Sequence, residues 1–376
     1  MKVAMIGHKV VPSRRGGIEN VLTNLCPLLT EIGTEVTCYN RSSDSVENEY
    51  IGTIIDNKYR GVKIKKAFTV GGKGISAMIA SFTAAISATF GKYDVIHFHA
   101  EGPCAAMWIP KLFGKRCVAT VHGLDWQREK WSGSFASKYI KFGEKVMVKC
   151  ADEIIVLSEN AKKYFKETYN RETVLIHNGI DKPTLKQAEK ITDLYGVKGN
   201  DYICTVSRLT AEKGIHYLLD AYAKIKTDKK LIIAGDTSDT DEYVNLLKEK
   251  AAGNPNIIFT GFISGEILQE IFSNAYVVAV PSDIEGMSIS LLESLSYGNA
   301  VLASNIPENT LVTEDKAMLF QKSDVEDLTR KLQLLCDDET AVNSLKTGVD
   351  EFVLGKYNWK DVAVATQNLY KKVIGN

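Results

Sequence analysis

Two glutamates that follow a buried strand are the residues best placed to do chemistry. Residues 281–293 read PSDIEGMSISLLE, which predicts a strand ending at Pro281, a loop carrying Glu285, and a helix that begins near residue 288 and carries Glu293. Amides at a helix N-terminus favour an anion, and carboxylates accept hydrogen bonds from sugar hydroxyls. We therefore expect one glutamate to bind a sugar and the other a ribose. The amides that would face the anion belong to Gly286, Met287 and Ser288.

Two cations form a second group. Residues 206–214 read VSRLTAEKG and include the end of the first predicted strand of the second half. Arg208 and Lys213 lie where that strand passes into a helix, so both can converge on one anionic group. Such a pair on a departing diphosphate would stabilise the charge that develops in the transition state. The alternative interpretation is two solvated surface charges.

A glycine pair, Gly16 and Gly17, separates the first predicted strand from the first predicted helix. Glycines at a helix N-terminus let backbone amides approach a ligand closely, and the helix dipole favours negative charge, which suits a diphosphate. The segment lacks the G-x-G-x-x-G fingerprint, and no acidic residue ends the second strand, which reads CYNR at 38–41. Both absences count against an NAD-dependent dehydrogenase.

The elements that must position these residues are short β-branched runs alternating with helical patterns from end to end. Runs such as VIHFH at 95–99 lack polar–apolar alternation, as expected of strands covered on both faces. We predict an α/β protein with two Rossmann-like, doubly wound parallel-sheet domains facing across a cleft, because such sheets bind ligands at the carboxyl ends of their strands. The predicted strands are 2–7, 35–40, 62–66, 94–99, 116–122, 153–158, 174–177, 202–207, 230–235, 256–261, 276–280 and 300–304.

The domain boundary is predicted near residue 180. Residues 178–183 read NGIDKP, a turn sequence, and a polar segment leads from there to a new strand at Tyr202. We assign 1–180 to the N-terminal domain and 181–356 to the C-terminal domain. Within the first predicted helix, Pro27 interrupts the apolar stripe and is expected to bend or shorten the helix.

The charge distribution is uneven although the net charge is zero. Residues 1–180 carry 25 basic and 17 acidic side chains, and the remainder carries 21 and 29. Either the first half faces an anionic partner, such as phosphate or a membrane surface, or the two halves attract each other. One basic cluster in the first half consists of Lys58, Arg60, Lys63, Lys65 and Lys66.

The seven cysteines include no C-x-x-C pair, which indicates buried, reduced thiols of a cytoplasmic protein. The N-terminus reads as a strand rather than a targeting signal. The most apolar helical pattern, 75–90, is too short and too rich in hydroxyl groups to span a bilayer. No nucleic-acid partner is expected.

Two histidines in one predicted strand, His97 and His99, raise the question of a metal site. We take their side chains to point to opposite faces of the strand, so that they could not hold one ion. One would then lie in the core, and the other would be open to a ligand.

Together, these motifs resemble the retaining glycosyltransferases of family 4, which have the GT-B fold. The resemblance extends over nearly the whole chain, and residues 12–19 and 122–131 are similar to bacterial polysaccharide enzymes, including rhamnosyltransferases. A final helix after Trp359 matches one that usually returns to the first domain, so we expect 357–376 to pack there. The motifs that carry the resemblance are the E-x7-E pair Glu285/Glu293, Arg208 with Lys213, NGID at 178–181, Pro281-Ser282, and Gly16-Gly17.

The resemblance implies a role for each candidate residue. His122, within TVHGLDW at 120–126, matches the family's histidine beside the reacting sugar. No cofactor and no essential metal are implied, since the nucleotide sugar is a co-substrate. The donor phosphates would be faced by Gly16 and Gly17 and the diphosphate bound by Arg208 and Lys213, while Glu285 would bind the sugar hydroxyls, Glu293 the ribose, and Phe262 with Ile263 the base.

The implied activity is transfer of a hexosyl or deoxyhexosyl group, with retention, to a saccharide or lipid-linked saccharide in cell-surface polysaccharide synthesis. A UDP-sugar is the expected donor, with dTDP-rhamnose and GDP-sugars as alternatives. NIPEN at 305–309 replaces a glycine pair usual in the family, which leaves the identity of the sugar open. The C-terminal domain would bind the donor and the N-terminal domain the acceptor. The basic cluster would allow peripheral contact with the inner face of the cell membrane. A nucleotide-sugar epimerase and a non-catalytic nucleotide-sugar binder are the alternative functions.

Overall fold

The computed structural model describes residues 1–72, 74–124, 135–236 and 241–375. The polypeptide divides into two units, each built on one β-sheet. The first unit comprises Met1–Gly179 and Tyr357–Asn376, and the second comprises Ile180–Lys356.

In the first unit, strands alternate with helices along the chain, and a 3₁₀ turn spans Pro103–Ala106. The strands are β1 (Lys2–Ile6), β2 (Glu35–Arg41), β3 (Ile54–Ile55), β4 (Lys58–Tyr59), β5 (Val62–Ala67), β6 (Val95–His99), β7 (Arg116–Val121), β8 (Glu153–Val156) and β9 (Val174–Leu175). The helices are α1 (Gly17–Glu31), α2 (Asn48–Ile51), α3 (Ile75–Thr89), α4 (Trp108–Leu112), α5 (Phe135–Cys150) and α6 (Glu159–Tyr169).

The second unit repeats this alternation, with a 3₁₀ turn at Ala211–Lys213. Its strands are β10 (Tyr202–Val206), β11 (Lys230–Ala234), β12 (Ile257–Gly261), β13 (Val277–Val280), β14 (Ala300–Ser304) and β15 (Met318–Phe320). Its helices are α7 (Lys190–Tyr195), α8 (Ile215–Tyr222), α9 (Asp241–Lys250), α10 (Gly265–Asn274), α11 (Ile289–Ser296), α12 (Pro307–Thr313), α13 (Val325–Asp337), α14 (Glu339–Lys346) and α15 (Val349–Lys356). The last helix, α16 (Trp359–Gly375), belongs to the first unit.

Both sheets are predominantly parallel. The first has the order β3-β4-β5-β2-β1-β6-β7-β8-β9, and only the pairings of β4 with its two neighbours are antiparallel among the described residues. The second has the order β12-β11-β10-β13-β14-β15, with every described pairing parallel. In each sheet, the parallel strands therefore present their carboxyl ends at one edge, which is where such sheets bind ligands. The predicted α/β fold class is confirmed.

Strand β6 shows why its sequence lacks alternation. Ile96 and Phe98 pack in one core cluster with Ala84 of α3, while His97 on the other face contacts Tyr370 of α16. Both faces of the strand are covered, so apolar or hydrogen-bonded residues occupy every position. Helix α16 packs on this unit through Gln367 as well, whose Nε2 donates to the Ile32 carbonyl over 2.8 Å.

The structure differs from the sequence-based expectations in two respects. Helix α1 continues through Pro27 to Glu31, so of the two expected effects, bending or shortening, the proline does not shorten the helix. Proline removes one amide hydrogen bond and its ring crowds the carbonyl four residues earlier, but packing of the buried apolar face holds the helix together. Three very short strands, β3, β4 and β15, were not predicted, because two or three residues carry too little periodicity.

Candidate active site

The carboxyl ends of β10, β11, β12 and β13 bring four loops of the second unit into contact. The Gly235 amide, after β11, donates to the Gly261 carbonyl at the end of β12 over 2.9 Å. The Asp283 amide, after β13, donates to the Glu212 carbonyl in the loop after β10, also over 2.9 Å. Since these contacts are between backbone groups, they fix the positions of the loops before any side chain is considered.

At two places these loops approach each other so closely that only glycine fits. Gly214 has φ +65°, and a Cβ atom there would lie 2.0 Å from the Pro281 carbonyl oxygen. A Cβ atom at Gly235 would lie 1.8 Å from the Ser207 carbonyl oxygen. Backbone packed against backbone at this distance excludes every larger residue.

Lys213 and Glu285 meet across the first of these contacts. Lys213 Nζ lies 2.6 Å from Glu285 Oε1, and the two side chains are only 14% and 8% exposed. The sequence predicted both as site residues but not that they form an ion pair. A nearly buried pair of this kind holds an ammonium group at a fixed position, because the carboxylate would be uncompensated without it.

Arg208 lies on the same loop as Lys213. Its Nη2 is 3.5 Å from Oε1 of the buried Glu212, and the guanidinium remains partly exposed. Glu212 was not among the predicted site residues, although it stands beside Lys213 in the motif. Its carboxylate pairs with Arg208 within this loop, and its carbonyl accepts from the Asp283 amide of the loop after β13. Arg208 and Glu285 therefore lie on the same edge of the second sheet.

The remaining second-unit candidates lie on the same loops. Ser288 caps helix α11, accepting a hydrogen bond from the Leu291 amide over 3.3 Å. Gly286 and Met287 precede it in the loop, and Glu293 is half-buried one turn into the helix. Phe262 and Ile263 follow directly after β12 and are half-buried. All stand at or near the carboxyl edge, and their individual roles stay predictions.

Another carboxylate on this edge, Asp283, was not predicted to have a role. It accepts hydrogen bonds from Tyr217 Oη over 3.1 Å and from Ser323 Oγ over 2.7 Å. Asp283 belongs to the loop that carries Glu285, so these contacts position that loop. Tyr217 and Ser323 are far from Asp283 in the sequence, and no sequence periodicity indicates that they are its partners.

The glycine pair of the first unit stands next to a carboxylate. Gly16 precedes α1 in extended conformation, and a Cβ atom there would lie 2.0 Å from Glu19 Oε2. Glu19 Oε1 in turn accepts from the Lys9 amide over 2.7 Å. A Cβ atom at Gly17 would meet nothing within 4 Å. Gly17 therefore has open space where a side chain would stand, and the phosphate contact expected of both glycines stays a prediction.

His122 follows β7 at the carboxyl edge of the first sheet, next to His99 at the end of β6. His99 Nδ1 and His122 Nε2 are 3.0 Å apart and share a hydrogen bond. The rings of His97 and His99 are 4.2 Å apart. The expectation that these two side chains point to opposite faces was wrong, because residues two apart on a strand share a face.

Burial keeps His8, His97 and His99 neutral at pH 7. Burial lowers the pKa of His97 to about 3, and that of His8, which contacts Asn40 Oδ1 over 2.9 Å, to about 4. Burial is also the main cause that lowers the pKa of His99 well below its ordinary value, with smaller contributions from the neighbouring histidines. Among the described residues, no group of three or more His, Cys, Asp or Glu side chains could hold a metal ion.

We predict that the protein loses stability on acidification below about pH 6.5. The folded pKa values of His8 and His97 lie below the unfolded value, so the unfolded chain binds more protons as the pH falls from 6.5 toward 4 and 3. Each such histidine costs about 1.4 kcal/mol per pH unit in that range. Thermal unfolding at pH 7 and pH 5 measures the loss. The His97→Gln variant should show a smaller drop in Tm between the two pH values, and an unchanged drop would contradict this account.

Comparison with known proteins identifies the class. The model of Glycosyltransferase Family 4 matches residues 15–182, and that of Glycosyl transferases group 1 matches residues 186–349. The chain belongs to the family 4 type of GT-B glycosyltransferases.

Residues 125–134, which include Asp125, Trp126 and most of the segment similar to polysaccharide enzymes, lie outside the described residues.

Individual relatives agree with this assignment. The chain is 26% identical to the alpha-maltose-1-phosphate synthase of Mycolicibacterium smegmatis, over 99% of this chain and 100% of that protein. It is 25% identical to the UDP-Gal:alpha-D-GlcNAc-diphosphoundecaprenol alpha-1,3-galactosyltransferase of Escherichia coli, over 76% and 77%. The fold also matches Anabaena HepE, solved in complex with UDP and glucose, with a TM-score of 0.81 and 17% identity over 99% and 100% of the two chains. Within the described residues, no helix has the length and apolar character needed to cross a membrane.

Proposed function

We propose that this glycosyltransferase moves a hexosyl or deoxyhexosyl group from a nucleotide-diphosphate sugar to a saccharide or lipid-linked saccharide, with retention at the anomeric carbon. The observation that carries the proposal is the Lys213–Glu285 pair, held at 2.6 Å on the loops where the second sheet ends. With Arg208 on the same loop, it supplies two cations beside carboxylates. A pyrophosphate bound to a sugar requires this combination of charges.

In this proposal, the second unit binds the donor. Arg208 and Lys213 bind the diphosphate, Glu285 orients the ammonium group and accepts from the sugar hydroxyls, and Glu293 accepts from the ribose. Phe262 and Ile263 contact the base. A UDP-sugar is the first candidate, supported by the UDP and glucose bound to the Anabaena protein and by the UDP-Gal donor in the name of the Escherichia coli relative. dTDP-rhamnose and GDP-sugars are the alternatives.

The proposed reaction is a substitution on one face of the sugar. The bond from the anomeric carbon to the phosphate oxygen breaks, and a bond to the acceptor oxygen forms on the same face. The departing phosphate oxygen takes the proton of the acceptor hydroxyl, so no enzymic nucleophile is required. The chain then contributes positioning and charge stabilisation, with Arg208 and Lys213 neutralising the leaving group. No cofactor or metal takes part in this scheme.

The first unit is assigned to the acceptor. Gly17 presents the start of α1 to a phosphate, and His122 contacts the reacting sugar, positioned by its hydrogen bond to His99. The name of the Escherichia coli relative contains a lipid-diphosphate-linked saccharide, and an acceptor of that chemistry would require peripheral contact with the inner face of the cell membrane. The lysines at 58, 63, 65 and 66 are exposed, as such contact requires.

Thermal unfolding in the presence of UDP-, GDP- and dTDP-sugars tests donor binding. A donor that binds only the folded state stabilises it by about 2.7 kcal/mol at a concentration of 100 times its Kd. We expect one nucleotide class to raise Tm by several degrees, with UDP-sugars first. No shift with any of the three classes would overturn the proposal.

The product of the stabilising donor distinguishes the alternatives. Transfer to an added acceptor, with the anomeric configuration retained in the NMR spectrum, supports the proposal. Isomerisation of the donor without an acceptor would instead indicate an epimerase, and binding without any turnover a nucleotide-sugar binder. An inverted product would overturn the one-face substitution.

A further inference from the structure

Helix α3 buries its small side chains and exposes its large apolar ones. Ile75, Ile79, Phe82, Ile86 and Phe90 follow one another at intervals of three or four residues and share one side of the helix. The first and the last two are exposed, and the other two are half-buried. None of the 15 residues of α3 is charged. The buried side consists of Ala80, Ser81, Ala84, Ala85, Ala88 and Thr89.

Helix α4 extends this exposed side. Phe90, Leu112 and Phe113 are 72%, 74% and 59% exposed. The rings of Phe90 and Phe113 meet edge to face, with centroids 5.2 Å apart, and join the ends of the two helices. We call Ile75, Ile86, Phe90, Leu112 and Phe113 the α3–α4 apolar surface. Contiguous apolar exposure of this kind marks an interaction site rather than an ordinary surface.

Basic side chains surround the α3–α4 apolar surface. Lys115 Nζ donates to the Gly91 carbonyl over 3.0 Å, directly beside Phe90. Lys65 Nζ lies 5.7 Å from the centroid of the Tyr93 ring, and Lys92 is exposed. In the sequence, residues 56–116 contain ten basic and three acidic side chains. One of the three acids, Glu101, is fully buried.

We propose that the α3–α4 apolar surface lies in the interface of an anionic membrane, with its side chains at the level of the upper acyl chains and the surrounding lysines on lipid phosphates. An apolar stripe flanked by cations is the pattern of an interfacial helix. A second copy of the chain fits less well, because a two-fold interface places the same patch on both sides and would bring the two sets of lysines together.

The position of α3 relates the proposed membrane contact to acceptor binding. The helix is about 22 Å long. It begins just after β5 ends, where the Thr69 hydroxyl donates to the Ser76 carbonyl over 2.7 Å, and it ends just before β6 begins. Its first turn, with Ile75, therefore lies at the carboxyl edge of the first sheet, where His122 lies, whereas Phe90, Leu112 and Phe113 lie toward the amino edge. On the proposed function, on which this step rests, a lipid-linked acceptor would arrive at the carboxyl edge.

Vesicle flotation of the full chain tests the surface. We expect binding to vesicles of phosphatidylglycerol and phosphatidylcholine, and at least tenfold weaker binding to phosphatidylcholine alone or at 0.5 M salt. A variant with Phe90→Ser, Leu112→Ser and Phe113→Ser should lose at least tenfold in binding to the anionic vesicles. The matched control carries Phe142→Ser, Leu194→Ser and Leu334→Ser, three other exposed apolar positions, and should float like the wild type. Both variants must keep a cooperative thermal transition and the donor-induced rise in Tm.

Three results would overturn the inference. The first is that the wild type does not float with anionic vesicles. The second is that the two triple variants lose vesicle binding equally. The third is a concentration-dependent dimer that only the α3–α4 variant abolishes. Failure of the proposed function is distinguishable, because it removes the donor-induced Tm shift and leaves flotation unchanged. If the triple variant proves unstable, Lys92→Glu with Lys65→Glu provides a second test, in which flotation with anionic vesicles should fall while Tm stays constant.

Discussion

Replacing Lys213 by alanine is expected to lower the rate of glycosyl transfer by about 10²–10³-fold, the loss seen when one preorganised charge-stabilising donor is removed. The variant loses the cation that would stabilise the departing diphosphate. It also leaves the Glu285 carboxylate nearly buried without its partner at 2.6 Å. Breaking a buried ion pair in this way costs about 3–5 kcal/mol of stability. Transfer rates with saturating donor and acceptor, together with Tm, measure the two effects.

The double variant Lys213→Ala/Glu285→Gln separates the effect on the transfer rate from the effect on stability. Neutralising the carboxylate should restore much of the lost Tm, whereas the rate should stay low because the cation is still missing. Lys224→Ala is the matched control, since Lys224 pairs with Glu326 on the exposed surface of the same unit. It should change Tm and rate little. A Lys213→Ala enzyme that keeps wild-type turnover would rule out the proposed role of the cation.

Replacing Gly214 by alanine is expected to lower the transfer rate at least 10²-fold and to destabilise the protein by about 3 kcal/mol or more. The residue has φ +65°, which costs a non-glycine residue about 1–2 kcal/mol. The added Cβ atom would lie 2.0 Å from the Pro281 carbonyl oxygen, so the two loops must separate. Lys213 and Glu285 stand on those loops, and a shift of about 1 Å suffices for a loss of this size.

Gly253→Ala is the control for the backbone strain alone. Gly253 has φ +79° in the same unit, and a Cβ atom there would meet nothing within 4 Å. Its variant should lose stability by the strain and keep the wild-type transfer rate. If Gly214→Ala matched Gly253→Ala in both Tm and rate, the close approach of the two loops would not matter for the reaction.

The local pattern of the sequence predicts where most strands lie along the chain, but not the contacts between distant segments. Strand β14 was predicted at its observed bounds, and β1, β2 and β10 to within one residue, because apolar runs between turn sequences carry that information. The pairing of Lys213 with Glu285 could not be derived in this way. The motifs implied that Lys213 binds the diphosphate and Glu285 the sugar. The two side chains become partners only because the loops after β10 and β13 pack together.

Two further points concern single elements. His97 and His99 were placed on opposite faces although the two-residue period of a strand puts them on one face, where their rings contact. That error came from misapplying a rule. The position of the Glu19 carboxylate beside Gly16 was not predicted, because it depends on the path of the loop that precedes α1, and the phosphate contact of the glycine pair stays a prediction.

The position of α16 has a consequence for synthesis. Its Tyr370 hydroxyl lies 2.6 Å from Nδ1 of the buried His97, a strand residue made 273 positions earlier. Until residues 359–375 have been made, that imidazole nitrogen has no such partner and β6 lacks the cover of α16. The first unit is therefore completed only after the whole second unit has been translated and has had time to fold.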